Sequence, residues 1–118
     1  MKVLMAETDP VVAAAIQSVL EEDGCEVAVA ANSLDAWDRI GANPPPDLLI
    51  TCIVFGSGQV PGTALGCRAH SMRIPVIYTP ANVEGAVHAD AEYGVILIQP
   101  LDLRDLARTA RSLLVRNE

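Results

Sequence analysis

The side chains that could carry out chemistry in this chain stand where its apolar runs end. Open parallel sheets bind ligands outside the carboxyl ends of their strands, so these positions form the candidate site. They hold two carboxylates and no cation, which is too little charge for phosphoryl transfer. The positions follow the first, third, fourth and fifth apolar runs in turn: Glu7, Thr8 and Asp9; Cys52; Thr79 and Pro80; and Gln99.

The apolar runs alternate with amphipathic segments along the whole chain. Short continuous apolar runs are typical of strands buried on both faces, and the segments between them repeat at helical spacing. About five such β-α units joined by right-handed crossovers predict one α/β domain with a doubly wound parallel sheet. The predicted strands are residues 3–6, 25–30, 47–52, 74–79 and 95–98.

Capping residues predict where the helices begin and end. Asp9 is the predicted N-cap of the first helix, with Pro10 at its first position, and Gly24 ends that helix. Ser33 is the predicted cap of the second helix. A short third helix is predicted through about residue 72, a fourth at residues 82–92, and a last one after Asp102.

Composition and charge exclude several classes of protein. The chain has 118 residues, 51% hydrophobic but only 3% aromatic, enough for one domain with an aliphatic core. No apolar stretch reaches the roughly 20 residues of a membrane span. A net charge of −7 argues against nucleic acid or an anionic membrane as the main partner. The three cysteines lack metal-ligand spacing, so we expect reduced thiols and a cytoplasmic protein.

Four short motifs, in their order and spacing, resemble bacterial response-regulator receiver domains, the flavodoxin-like modules of two-component systems. Residues 7–10 (ETDP) resemble the family's acidic pair followed by Asp-Pro, and residues 46–52 (PDLLITC) its PDLxxxD third strand. Residues 74–77 (IPVI) resemble its fourth strand, and residues 99–101 (QPL) its Lys-Pro-hydrophobic turn. The resemblance implies a (βα)5 fold with strand order 2-1-3-4-5, a receiver-like domain at residues 1–118, and no output domain.

The residues that would hold the phosphoryl group and the metal ion differ from those of the family. A receiver is phosphorylated on an aspartate where this chain has Cys52, and its Mg²⁺-binding acidic pair corresponds to Glu7 and Thr8. Mg²⁺ prefers carboxylate and phosphate oxygens, and a cysteine sulfur is a poor ligand for it. Glu7 and Asp9 could bind a cation weakly, or could serve only as a strand-end acid and a helix cap. We expect no cofactor and weak or absent Mg²⁺ binding.

The other two positions that the resemblance makes functional also differ. The hydroxyl residue that senses the phosphoryl group in receivers aligns with Pro80, one place after Thr79. The lysine of the family aligns with Gln99, which is neutral, and the following bond to Pro100 is expected to be cis by the resemblance. Since nucleophile, metal carboxylate and lysine are all replaced, we expect a degenerate phosphorylation site and no enzymatic activity.

Cys52 is open to two interpretations. A partly exposed thiol near a helix N-terminus can be activated, which would make Cys52 a redox or nitrosylation sensor. Alternatively, Cys52 is a small apolar filler in place of an aspartate that would be costly to bury without a cation. No histidine or cysteine lies near it in the sequence to act as base or resolving partner.

A charged surface is predicted near the end of the chain. Arg104, Arg108 and Arg111 lie at helical spacing on one face of the last helix. By the resemblance, the face made by the fourth helix, fifth strand and fifth helix is a dimerisation surface in many receivers, where acids of one protomer meet arginines of the other. A solvated helix with ordinary surface charge is the alternative. The remaining candidates for this face are Glu84, Asp90, Glu92 and Tyr93.

These observations lead to one functional hypothesis and one rival. The first is a stand-alone pseudo-receiver that acts by protein–protein interaction in a phosphorelay or two-component pathway, with a histidine kinase, another regulator or a second copy of itself as partner. The rival is a thiol-based redox or small-ligand sensor that uses Cys52 and the pocket left by the missing charges.

Overall fold

A computed structural model describes residues 1–116. Five parallel strands form one sheet in the order β2-β1-β3-β4-β5, which confirms the predicted fold class and strand order. The strands are β1 (Lys2–Ala6), β2 (Glu26–Val29), β3 (Leu48–Thr51), β4 (Val76–Tyr78) and β5 (Val95–Ile96). The helices are α1 (Pro10–Glu22), α2 (Ser33–Ile40), α3 (Gly62–Ser71), α4 (Val83–Ala86) and α5 (Leu103–Arg116).

Helices cover both faces of the sheet because most side chains on both faces of its central strands are apolar. On one face, Val3 and Met5 of β1 pack with side chains of α1 and α5. On the other face, Leu4 and Ala6 pack with side chains of α2 and α3. Burying a Leu or Ile side chain stabilises the fold by about 1.5–3 kcal/mol, so these two layers supply most of the favourable free energy of folding.

The first two helices begin differently from each other. The Asp9 carboxylate accepts hydrogen bonds from the backbone N–H groups of Val11 and Val12, which confirms the predicted N-cap of α1. The predicted cap Ser33 is wrong, because the cap of α2 is Asn32, whose side chain accepts from the Asp35 N–H at 2.8 Å. Asn32 has the extended backbone that a cap requires, whereas Ser33 is already helical and buried.

The segment between β4 and α5 has less regular structure than predicted. The fourth helix was expected at residues 82–92, but α4 ends at Ala86. Asp90 then accepts a hydrogen bond from the backbone N–H of Glu92, a local turn that competes with helix formation. The strand expected at residues 95–98 ends at Ile96, although Leu97 and Gln99 still donate single backbone hydrogen bonds to the β4 side.

A contact between α2 and α3 fixes one side of the domain. The guanidinium of Arg68 lies 4.6 Å from the centre of the Trp37 ring, and its Nε donates to the Trp37 carbonyl at 3.0 Å. This combines a cation–π interaction with a hydrogen bond. Within residues 1–116, no helix is long and apolar enough to cross a membrane.

Candidate functional site

The register of the sheet brings the predicted site residues to one edge. Thr51 at the end of β3 is paired with Ala6 of β1 and with Tyr78 of β4. The residues that follow these strand ends therefore lie side by side. Cys52 donates its backbone N–H to the Ala6 carbonyl, and Thr79 donates its own to the Thr51 carbonyl, both at 2.9 Å.

Gln99 connects three strand ends through its side chain. Its Nε2 donates to Oε1 of Glu7 at 3.1 Å and to the carbonyl oxygen of Thr79 at 3.0 Å. The side-chain amide nitrogen of Gln99 carries two protons, and each of them is used in one of these hydrogen bonds. The following bond to Pro100 is cis, as expected. At the position of the family's lysine, a neutral amide therefore holds β1, β4 and the end of β5 together.

Glu7 and Asp9, the two candidate cation ligands, also accept hydrogen bonds from backbone N–H groups. Oε2 of Glu7 accepts from the backbone N–H of Asp9 at 3.0 Å, and the Asp9 carboxylate caps α1. Thr8 is exposed and supplies a hydroxyl in place of a second carboxylate. Among residues 1–116, no three His, Cys, Asp or Glu side chains converge as a metal site would require. Mg²⁺ prefers several carboxylate or phosphate oxygens, and here the carboxylates of Glu7 and Asp9 are already bonded to backbone N–H groups.

The Cys52 thiol is buried beneath the edge of the sheet. The residue is only 5% exposed, and its Sγ donates to the carbonyl oxygen of Val54 at 3.7 Å. Burial, and to a lesser extent the negative charge of Glu7, raises the pKa of the Cys52 thiol from 9.0 to about 11. The thiolate is the nucleophilic form, so this environment favours the interpretation of Cys52 as an apolar filler.

Thr79 and Pro80 are both buried where the family senses the phosphoryl group. Thr79 contributes its carbonyl oxygen to Gln99, while its Oγ1 has no hydrogen-bond partner among the described residues. Pro80 has neither hydroxyl nor backbone N–H, and its carbonyl accepts from the backbone N–H of Gln99 at 2.9 Å. At this position the structure therefore shows backbone pairing between Pro80 and Gln99.

A cleft of about 240 Å³ opens beside Glu7, and sequence reasoning missed most of its lining. The buried hydroxyl of Ser33 donates to Oε1 of Gln59 at 3.0 Å, which ties the start of α2 to the loop before α3. The two residues are 26 positions apart. Capping preference was the one signal that the sequence offered for Ser33. Ser33 itself does not line the cleft, whose lining residues are Glu7, Thr8, Ala30, Ala31, Asn32, Phe55 and Gln59.

The three arginines of α5 do not share a face with the acids of α4. Arg111 forms an ion pair with Asp23 at the end of α1, at 3.0 Å, and Arg108 pairs with Asp105 within α5. Leu113 lines a cleft with Tyr93 and so marks the flank of α5 that faces β5. Two positions along a helix rotate a side chain by about 200°, so Arg111 points away from that flank.

The dimer face therefore stays a prediction, but within one protomer the arginines and the acids lie on different surfaces. Arg104, seven residues before Arg111, lies on the same flank as Arg111, whereas the acids Glu84, Asp90 and Glu92 are exposed on α4 and the turn after it. Helical spacing predicted that the arginines share a face, but it cannot show which neighbouring helix that face meets. Tyr93 is half-buried, and its ring lies 4.7 Å from that of His70.

Comparison with known proteins identifies the fold. No family model matches the chain, and no curated protein matches it. The receiver domain of a Francisella response regulator is 25% identical, covers 99% of this chain and 98% of its own, and has a TM-score of 0.79. A two-component response regulator from Clostridium difficile is 25% identical, with 98% and 97% covered and a TM-score of 0.81.

A receiver protein from Sinorhizobium medicae shares only 20% identity, but it covers all of this chain and 97% of its own, with a TM-score of 0.85. Since structures from distant bacteria agree over nearly the whole chain, this protein has the fold of response-regulator receiver domains, the signalling modules of two-component systems.

Proposed function

We propose that this protein is a pseudo-receiver, a signalling module that works by protein–protein interaction and is not phosphorylated at the usual position. The observation that carries the proposal is the bridge from Gln99 to Glu7 and the Thr79 carbonyl, next to the buried thiol of Cys52. In the bridge, the neutral Gln99 amide donates to the Glu7 carboxylate and to the Thr79 carbonyl. These groups satisfy one another without a metal ion or a phosphate.

The charges at this edge explain why phosphoryl transfer is not expected. Phosphoryl transfer depends on positioned cations that neutralise the developing negative charge. Here Gln99 is neutral, Glu7 is the one carboxylate among residues 1–116 that contacts the Gln99 side chain, and Cys52 is a thiol with a raised pKa. An incoming phosphoryl donor would meet an acid and a buried thiol, so both approach and transfer are disfavoured. We infer that no cofactor is used and that Mg²⁺ binds weakly or not at all.

The test is incubation with acetyl phosphate and Mg²⁺ followed by intact-mass spectrometry. We expect no mass increase, while an active receiver domain treated in parallel gains the mass of one phosphoryl group. A second measurement follows the backbone amides of Thr8, Cys52 and Gln99 by NMR while Mg²⁺ is added, and we expect them not to shift. A covalent phosphoryl adduct, or saturable shifts of these amides, would contradict the proposal.

The partner would be a histidine kinase, another regulator or a second copy of this chain. For a homodimer, the best surface is α4 with β5, because Val83 and Val87 lie one helical turn apart and are 67% and 76% exposed. Light scattering of the wild type beside Val83→Glu, Val87→Glu tests it, since two carboxylates would convert a dimer to a monomer. The Arg108→Glu, Arg111→Glu variant is the matched control and should keep the wild-type mass. A monomeric wild type would exclude the homodimer.

The thiol-sensor alternative has no observation in its favour. Its candidate, Cys52, is buried with a raised pKa, whereas Cys67 is exposed. None of the three cysteines is in a disulfide. Free thiols are the usual state in a reducing compartment, which supports a proposed cytoplasmic location.

A further inference from the structure

A second cleft lies at the opposite edge of the sheet from the candidate site. Its walls come from the end of α3, the residues that lead into β4 and β5, and the last part of α5, and its volume is about 600 Å³. It is open to solvent along one side, so it suits an extended segment better than an enclosed small molecule. The residues that matter here are His70, Arg73, Ile74, Pro75, Tyr93 and Leu113.

The charge of this cleft is opposite to that of the protein. The chain carries a net charge of −7, yet among residues 1–116 no carboxylate lines the cleft, where the ionisable side chains are Arg73, His70 and Tyr93. Asp90 and Glu92 precede Tyr93 in the chain but are not among the lining residues. Within residues 1–116, three salt bridges form, and Arg73 takes part in none of them. An acidic group on a partner would find this guanidinium available.

Arg73 stands at a position where folding alone would favour another residue. Its φ is +62°, the left-handed conformation at the end of α3, while Met72 and Arg73 donate backbone hydrogen bonds to Ala69 and His70. Gly is the usual residue at such a helix end because a Cβ crowds the following carbonyl oxygen, and Asn tolerates the conformation because its short side chain can hydrogen-bond locally. The arginine side chain therefore does not serve the turn, and its exposed guanidinium is its distinguishing property.

The rest of the cleft offers apolar contacts beside that charge. The rings of His70 and Tyr93 lie 4.7 Å apart and are tilted by 38° to each other, so one side of the cleft is aromatic. Ile74, Pro75 and Leu113 supply aliphatic surface. Apolar contact beside a cationic rim fits a segment whose acidic residues are interspersed with large apolar ones.

We propose that this cleft docks an acidic, Leu-containing segment of a partner protein. This proposal rests on the proposed function, because it assumes that the protein acts by binding a partner protein and states the chemistry of that partner. It uses a surface at the far edge of the sheet from the candidate site, so the site's phosphorylation state and this docking are separate questions. A phosphoryl adduct in the acetyl phosphate experiment would overturn the first without touching the second.

The probe is a blocked peptide of sequence EELEELEE, titrated into ¹⁵N-labelled protein. We expect shifts of the His70, Arg73, Ile74 and Tyr93 amides, and an affinity that falls as salt is added. The same peptide with Gln in place of every Glu should not bind. Absence of shifts, shifts confined to other residues, or equal binding of the Gln peptide would overturn the proposal.

Arg73→Asn separates binding from folding. Asn tolerates the left-handed conformation, so the melting temperature should stay the same or rise, while the affinity for the peptide falls about two- to fivefold. The matched control is Arg104→Gln, which removes the same charge from exposed α5 and should leave the affinity unchanged. Equal affinity of Arg73→Asn and wild type would overturn the proposal, as would an equal loss in both variants.

Discussion

Nε2 of Gln99 lies 3.1 Å from Oε1 of Glu7, although 92 residues of chain separate the two. The same nitrogen reaches the Thr79 carbonyl at 3.0 Å, so one amide ties the first strand of the sheet to the ends of the last two. In a sheet of parallel strands no hairpin joins neighbouring ends, and side-chain bridges of this kind keep them in place.

Replacing Gln99 by Leu should lower the free energy of unfolding by about 1–2 kcal/mol, because it leaves the part-buried Glu7 oxygen and the Thr79 carbonyl without their partner. Urea denaturation measures the change. Gln17→Leu is the control, since the Gln17 amide makes one long, exposed bond of 3.5 Å to Glu21. Its effect should stay within about 0.5 kcal/mol. Equal losses in both variants would show that the bridge has no special role.

The cysteines should differ in their reaction with a thiol reagent at pH 7. Cys67 is exposed and should react first, whereas Cys52 is buried with a pKa of about 11. At that pKa the thiolate fraction is about a hundredfold lower than for a thiol of pKa 9.0. Mass spectrometry after timed quenching follows each site. In Cys67→Ser the fast phase should disappear, and rapid labelling of Cys52 in that variant would revive the sensor hypothesis.

Stability should fall as pH rises from about 9 to 11. The folded pKa of Cys52 lies above the unfolded value of 9.0, so the unfolded chain loses its proton first. The contribution is complete below pH 9 and is lost as pH passes 11, with an upper limit of about 3 kcal/mol. Urea midpoints at pH 8, 9 and 10 measure it. Cys52→Ala should decline less steeply, while Cys67→Ser should match the wild type.

Gly66→Ala should destabilise the protein by about 2 kcal/mol or more, even though Ala favours a helix over Gly by about 1 kcal/mol. A Cβ on Gly66 would overlap the hydroxyl and ring edge of buried Tyr78. Tyr78→Phe alone should be neutral or stabilising, since the Tyr78 hydroxyl is buried with no hydrogen-bond partner among the described residues.

The double variant decides whether that contact is the cause. Removing the hydroxyl relieves the worst overlap but not the one with the ring, so Tyr78→Phe should recover part of the loss caused by Gly66→Ala. Thermal unfolding of the four proteins completes the cycle. Strictly additive effects would mean that Gly66 is needed for another reason.

The architecture followed from the sequence because its signals are local. Continuous apolar runs specify buried parallel strands, and a residue such as Asp9 caps the helix that begins next to it. Local signals do not decide the outcome where two adjacent residues could play the same structural role. Asn32 and Ser33 can both cap a helix, and the choice depends on Gln59, which contacts Ser33 from a loop 26 residues away.

The candidate site was predicted as a set of residues but not as a set of contacts. The predicted strand ends and the family resemblance placed Glu7, Thr79 and Gln99 at the same edge of the sheet. The direction of the Gln99 amide depends on sheet register, which the sequence does not specify at single-residue precision. Long-range pairing likewise decided the orientation of Arg111, because its partner Asp23 belongs to the first helix.

The position of Trp37 makes this domain convenient to study by fluorescence. It is the only tryptophan in the chain, and it lies beneath the Arg68 guanidinium on the side of the sheet covered by α2 and α3. Its emission therefore reports on one helical layer alone, whereas circular dichroism averages over both. Superimposable melting curves from the two signals would show that the layers unfold as one cooperative unit, and separated curves would reveal which layer opens first.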